Sequence, residues 1–334
     1  MKIVSLNIRG FCLGGKIDKF EWARRLILSE KPSFVALQET RIKLVEDSWV
    51  HKLWGSSECN FVQKEKIGKS GGPLLIWDTS FFEATDCFMF DCVISIRGIL
   101  KHTNEVINII NVYGPHDDAK KIKLWDNMSS MLEGKKNEAW IICGDFNEVR
   151  EESDRSNCEF LEYKARRFND FIASNSLMEI PLGGRNFTRV SDDGVKFSKL
   201  DRFLVFDKCH FIWSDLTVVA LERKFSDHCP IVLKDDERNF GPKPFKVFDA
   251  WFSDEGVDKL VQDNWKISVP EIQRKDCMFR NHLKNVKSAL KDWSYNNMKG
   301  IDGDIEALKS VAINLELKAE SVLLDDTEQA LWKE

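Results

Sequence analysis

No stretch of this 334-residue chain approaches the roughly 18 consecutive apolar residues that a membrane helix needs, so no bilayer span is expected. The N-terminus lacks a charged leader, an apolar stretch and a small-residue cleavage site, and reads as a strand rather than a signal peptide. Positive charge is not in excess either. There are 49 Lys and Arg against 54 Asp and Glu, for a net charge of −5, and neither side of Arg238 forms a basic tail. Any contact with a polyanion must therefore come from a local patch. No lysine-rich run argues for nuclear import. The nine cysteines are odd in number and scattered. The closest pair, Cys87 and Cys92, lacks zinc-ligand spacing and has no second pair beside it. Cys143 and Cys229 lie within apolar runs and read as small core residues. These absences point to a reducing, intracellular setting.

What is present is ordinary for a globular protein: 43% hydrophobic and 31% charged residues, in a length that accommodates one large domain or two. The informative stretch is Ala139-Trp140-Ile141-Ile142-Cys143-Gly144-Asp145-Phe146-Asn147. Its apolar start reads as a strand buried on both faces. Gly144 then permits a tight turn, and Asp145 and Asn147 follow at the end of a rigid element. A hydrolase could place a water-activating carboxylate and a phosphate-holding amide there; a strand followed by an Asp/Asn turn is the plainer alternative.

Polar groups recur at the ends of other apolar strands. Met1 to Ile8 alternates and ends at Asn7. Asp18 to Glu30 has helical apolar spacing, with Asp18 as the cap. Ser33 to Gln38 is a short buried strand that delivers Glu39. The runs Phe81 to Ile99 and Val106 to Val112 suggest an antiparallel meander, ending with Tyr113 before a Gly-Pro turn, either a core residue or a contact to phosphate. Helices are expected over 117–132 and 160–175. In 195–206, Asp201 interrupts an apolar alternation, so it faces either a site or Arg202. Asp227-His228 precedes a last buried strand, and either Asp201 or Asp227 could orient the imidazole. Strand, helix and strand with polar ends open an α/β sandwich. From about Lys234 a charged, Gly/Pro-containing linker begins. Helices are expected around 255–265, 272–298 and 302–323, without a compact second core.

Taken together, Leu6-Asn7-Ile8-Arg9-Gly10, Gln38-Glu39-Thr40, Asn111-Val112-Tyr113-Gly114-Pro115, Gly144-Asp145-Phe146-Asn147, Ser198-Lys199-Leu200-Asp201-Arg202 and Ser226-Asp227-His228 follow the order found in the endonuclease/exonuclease/phosphatase superfamily. The chain most resembles the apurinic-endonuclease-like domain of non-LTR (LINE-type) retrotransposon polyproteins, cut before the reverse transcriptase. The resemblance covers about Met1 to Leu233. It implies a four-layer α/β/β/α sandwich (DNase I-like) over residues 1–235, followed by a linker and helical extension over 236–334. It further implies hydrolysis of a phosphodiester with Mg²⁺, or Mn²⁺ in its place, and DNA as substrate, with no small-molecule cofactor and action in the nucleus.

Carried over by position, Glu39 resembles the main metal ligand, with Asn7 and Asp227 beside it. Asp145 would orient or deprotonate the attacking water, Asn147 and Tyr113 would hold the phosphate, and His228, steered by Asp201, would stabilise charge on the reacting oxygens. One glutamate with weaker neighbours suits magnesium, which keeps several waters. Two positions depart from the pattern. Arg9 stands where superfamily members often carry Asp, and Arg189 where many retroelement relatives have Trp. The expected activity is nicking of one DNA strand. A catalytically silent relic that binds nucleic acid or a partner, and a phosphatase of the same superfamily, are the alternatives.

Overall fold

The computed structural model describes residues 1–11, 19–64, 72–135, 138–213, 215–235, 247, 251, 254–266, 275–319 and 324–333. Residues up to Arg238 make one compact unit, and most of those beyond it a second. Strands and helices are numbered along the chain.

Two large sheets form the first unit. One has the order β11 (Leu182–Gly183), β15 (Leu216–Ala220), β16 (Ile231–Asp235), β1 (Lys2–Asn7), β2 (Phe34–Gln38), β4 (Leu74–Asp78), β3 (Cys59–Gln63). The other runs β10 (Met178–Glu179), β14 (Asp201–Val205), β8 (Ala139–Asp145), β7 (Val106–Tyr113), β6 (Val93–Leu100), β5 (Phe82–Phe90). A small third sheet joins β12 (Arg189–Val190), β13 (Phe197–Ser198) and β9 (Arg155–Ser156). Most neighbours in the large sheets are antiparallel, but β1 with β2, β7 with β8 and the short β11 with β15 are parallel. The β1–β2 and β7–β8 pairs are each bridged by a helix, α1 (Lys19–Glu30) and α3 (Asp118–Leu132) respectively, the crossover that parallel strands require.

Three apolar clusters account for the layers. Alternate residues of the central strands, among them Ile3, Ala36, Ile109, Ile141 and Phe203, meet between the sheets. The other faces pack outward. Val4, Leu6, Val35 and Leu37 lie against Trp22, Ala23 and Ile27 of α1 and Val50 and Leu53 of α2 (Asp47–Trp54). Ile110, Ile142 and Leu204 lie against Leu124, Trp125 and Met128 of α3 and Phe168 and Phe171 of α4 (Glu162–Ser174). Because both faces of these strands are covered, they read as continuous apolar runs rather than alternations. The result is the four-layer α/β/β/α sandwich of the DNase I-like fold. Among the described residues no helix is long and apolar enough to cross a membrane.

Several expectations change. The stretch 195–206 is not one strand: β13 belongs to the small sheet, and a new strand, β14, begins at Asp201. Helix α2, strand β3 and the short α5 (Lys208–Ile212) were not anticipated. Asp18 as a cap and the linker over 236–246 lie outside the described residues. In the second unit α6 (Glu255–Trp265) is as expected, with Asp254 accepting from the Gly256 amide at 2.8 Å. The next two expected helices are a single one, α7 (Lys275–Ala319), followed by α8 (Asp326–Lys333). Gly300 and Gly303 lie inside α7 and do not end it. The expectation of no second core is also corrected, since Trp251, Val257 and Leu290 are buried together with Leu260, Val286 and Trp293 packed on them.

Candidate active site

Strand periodicity builds the site. Residues two apart share a face, so a strand carrying Ile3 inward also carries Ser5 and Asn7 inward. The same holds for Ile109, Asn111 and Tyr113, for Ile141, Cys143 and Asp145, and for Phe203 and Asp201. Register brings them level: Asp145 pairs with Asp201 on one side and with Tyr113 on the other. The apolar interlayer core thus gives way, at one edge, to a row of polar side chains. Just beneath that edge Gln38 bridges the sheets, donating to Asn111 at 2.7 Å and Ser5 at 3.2 Å, while the Asn111 amide donates to the carbonyls of Leu37 and Leu74 at 3.0 Å each. These polar groups fix the spacing between the layers that carry the site.

Tight turns then aim the side chains. The Asn7 side chain accepts from the Arg9 amide at 3.0 Å, and the Asp145 side chain from the Asn147 amide at 2.9 Å. Both are Asx-type turns. Arg9, Glu39, Arg41 and Asn147 all have left-handed backbone, with φ between 49° and 56°, a strained state for residues other than glycine that concentrates at functional sites. Gly144 has φ +138°, and a Cβ there would lie 2.0 Å from the Val112 carbonyl oxygen. Buried lysines tie the turns down. Lys19 donates to the carbonyls of Ile8 and Arg9 at 2.9 and 3.2 Å, and Lys121 to the carbonyl of Asn147 at 2.5 Å.

The side chains form two linked groups. In one, the Glu39 carboxylate accepts from Asn7 at 3.1 Å, Tyr113 at 2.9 Å and Arg41 at 3.1 Å. Burial, the largest single influence, pushes this carboxyl up, but the three hydrogen bonds outweigh it and hold its pKa below the ordinary value. In the other, His228 Nδ1 lies 2.7 Å from Asp201 and Nε2 lies 3.7 Å from Asp145. Burial opposes the imidazolium, yet Asp201 and Asp145 together raise His228 to about 9. Burial raises Asp145 to about 6, with His228 pulling it down and Asp201 pushing it up. The ring thus lies between Asp201 and Asp145, both of which favour its protonated form. Asp145, Asp201 and His228 bring ligand-type atoms within 4.8 Å of one another, but a protonated ring offers a cation no lone pair. The Asn7 amide also donates to Asp145 at 2.9 Å and so joins the two groups.

Asp227 does not orient His228. Its Oδ2 faces Arg189 at 3.1 Å and Arg9 at 3.3 Å, while Oδ1 is buried without a hydrogen-bond partner. Nor does Asp201 pair with Arg202. Adjacent strand residues point to opposite faces, and Arg202 binds Asp154 and Glu179 on the far side. The Asn147 amide donates to the Gly114 carbonyl at 2.8 Å.

Glu39, Tyr113, Asp145, Asn147, Asp227 and His228 line an open cleft of about 290 Å³ that also exposes Arg9, Arg41, His116 and Arg189. Burial keeps His116 below the ordinary histidine value. Arg41, His116 and Thr188 were missed in the sequence. Thr188 accepts from the amides of Leu200 and Asp201 at 3.0 Å each and so anchors the start of β14. Arg41 and His116 each adjoin a motif already visible, which was the available signal; Thr188 lies ten residues before the nearest one.

The family model described as Endonuclease/Exonuclease/phosphatase family matches residues 4–228. The chain belongs to this family. Its sequence is similar to the Transposon TX1 uncharacterized 149 kDa protein of Xenopus laevis, 24% identical over 176 residues, which is 50% of this chain and 13% of that protein. The chain thus spans a small fraction of that relative's length. Among solved structures it is similar to the AP endonuclease LMAP from Leishmania major, with TM-score 0.57, 18% identity and 70% and 86% of the two chains covered. It is also similar to an AP endonuclease from Archaeoglobus fulgidus, with TM-score 0.54, 17% identity and 71% and 99% covered. At such identities the likeness is one of fold.

Proposed function

We propose that this member of the endonuclease/exonuclease/phosphatase family is a divalent-metal-dependent phosphodiesterase that nicks one strand of DNA in the nucleus, as in retrotransposition. The observation that carries the reading is the paired arrangement of an ionised Glu39 and an imidazolium–carboxylate row within one cleft, rimmed by three arginines. In a chain of net charge −5, that rim is the local patch an anionic substrate requires.

The donors fit Mg²⁺, or Mn²⁺. They are hard oxygens, Glu39 is ionised, and Asp227 keeps a buried oxygen with no partner. Glu39, Asn7 and Asp227 would hold the ion, which when bound would neutralise charge on the phosphate oxygens. Asp145, raised toward neutrality, would take the proton of the attacking water. His228, kept cationic by Asp201, would stand against the developing oxyanion. Tyr113 and Asn147 would position the phosphate, Tyr113 through the hydroxyl it now gives to Glu39.

One observation favours the silent alternative: Arg41, 3.1 Å from Glu39, already balances the charge a metal would meet. Nicking of supercoiled plasmid by the whole chain, with Mg²⁺ and with EDTA, separates the readings. Metal-dependent nicking that disappears in Asp145→Ala is the expected result. DNA binding without nicking would select the silent chain, and turnover of phosphoinositide but not plasmid would select a phosphatase.

A further inference from the structure

The cleft has a second cationic feature that the reacting centre does not use. Arg9 and Arg189 both rest on the single oxygen Oδ2 of Asp227, at 3.3 and 3.1 Å. Among the described residues, neither hydrogen-bonds to Glu39, Asp145 or His228. The buried carboxylate holds two guanidinium groups side by side at the mouth. The Arg9 backbone is fixed by Asn7 and Lys19, yet its side chain is 37% exposed and that of Arg189 40%. Two cations on one buried anion leave a positive charge to be met from outside.

Asp192 meets it. Its two carboxylate oxygens lie 2.5 and 3.0 Å from Nη1 and Nη2 of Arg9, a two-pronged contact with the geometry a guanidinium also offers to phosphate. Asp192 sits in the turn between β12 and β13 with its side chain 75% exposed. An ion pair so open to water is weak and exchangeable.

We infer that Arg9 and Arg189 form a subsite for a second phosphate of the bound nucleic-acid strand, one flanking the phosphate that reacts. In the free protein Asp192 occupies the Arg9 half of this subsite and is displaced as the strand docks. The inference rests on the phosphodiesterase reading and narrows it, because a second phosphate grip is of use only to a ligand carrying phosphates in series.

Binding without chemistry tests it. The whole chain in EDTA is titrated against a fluorescent DNA duplex of about 20 base pairs by anisotropy, at several NaCl concentrations. Arg9→Gln and Arg189→Gln should each weaken binding and reduce the slope of log Kd against log salt by about 0.9, the value of one phosphate contact. Asp192→Asn, an exposed change that leaves the fold alone, should tighten binding several-fold at low salt. Unchanged slopes in both arginine variants, or an Asp192→Asn chain that binds no tighter, would overturn the subsite. So would equal losses in kcat/KM on the duplex and on bis(p-nitrophenyl) phosphate, because the arginines would then serve the reacting phosphate. Phosphoinositide vesicles bound with the same dependence on Arg9 would overturn its assignment to a nucleic-acid strand. Expected slopes in a chain that cleaves neither substrate would support the subsite and count against the nuclease, so the two readings fail separately.

Discussion

On the proposed function, catalysis by this cleft would depend on which groups keep their charge at neutral pH. His228 is raised to about 9 and Asp145 to about 6, with Asp201 acting on both. A base must be ionised and a charge-stabilising imidazole protonated, so kcat/KM should be bell-shaped. Activity should be lost as pH falls through the Asp145 value and again as it rises through the His228 value. Asp201→Asn removes a carboxylate that favours the imidazolium, so the alkaline limb should move to lower pH; a pH–rate profile with that limb unmoved would separate Asp201 from His228. His228→Ala should cost at least about two orders of magnitude in rate, comparable to losing one oxyanion donor, and a near-normal rate would remove His228 from the reaction. The sequence showed these residues because each sits where an apolar run stops. It could not show which carboxylate faces the imidazole. Asp201 and Asp227 are equivalent in one dimension, and only the pairing of β14 beside β8 places Asp201 at 2.7 Å while Arg9 and Arg189 take up Asp227.

At the level of elements, buried strands were legible from length and apolarity, and β1, β2, β7 and β8 lie within a residue or two of the expected positions. Short or half-exposed pieces were not. Strand β3 has only Cys59 buried, so its sequence carries little apolar signal, and β12, β13 and β9 are two residues each, held by pairing rather than propensity. One such joint is electrostatic. On the outer side of β14, Arg202 meets Asp154 at 2.5 Å and Glu179 of β10 at 2.7 Å, and Glu179 also takes Arg150 and Lys199. Burial raises the Glu179 carboxyl, but Arg202 and Lys199 overcome it and bring it to about 2. Because the folded value lies below the unfolded one, Glu179 contributes stability above roughly pH 4 that is lost as pH falls toward about 2. Glu179→Ala should lower stability at neutral pH by about 3 kcal/mol and flatten the acid dependence of denaturant unfolding over that range. An unchanged acid profile would place the linkage elsewhere.

For the whole molecule, the division at Arg238 makes a direct prediction. A fragment covering residues 1–238 should unfold in one cooperative transition and, on the proposed function, cleave DNA as the full chain is expected to; a fragment that aggregates, or is inert where the full chain cleaves, would make the helical unit necessary. The extent of that unit's order was hidden in the sequence, because Gly300 and Gly303 suggest a break that the 45-residue α7 does not make. A different consequence follows from the centre of the first sheet, where β1 lies between β2 and β16 and Lys2 pairs with Lys234. Two adjacent strands of one sheet are thus separated by about 230 residues of chain. At roughly 5–20 residues per second of synthesis, the nascent chain passes tens of seconds with its middle strand unpaired on one side. Contacts so distant in sequence also slow folding itself. Asn7 and His228 come from opposite ends of this interval, so the cleft is complete only once the segment that carries His228 has joined β1. On the proposed function, cleavage by this unit would therefore await the pairing of β16 with β1.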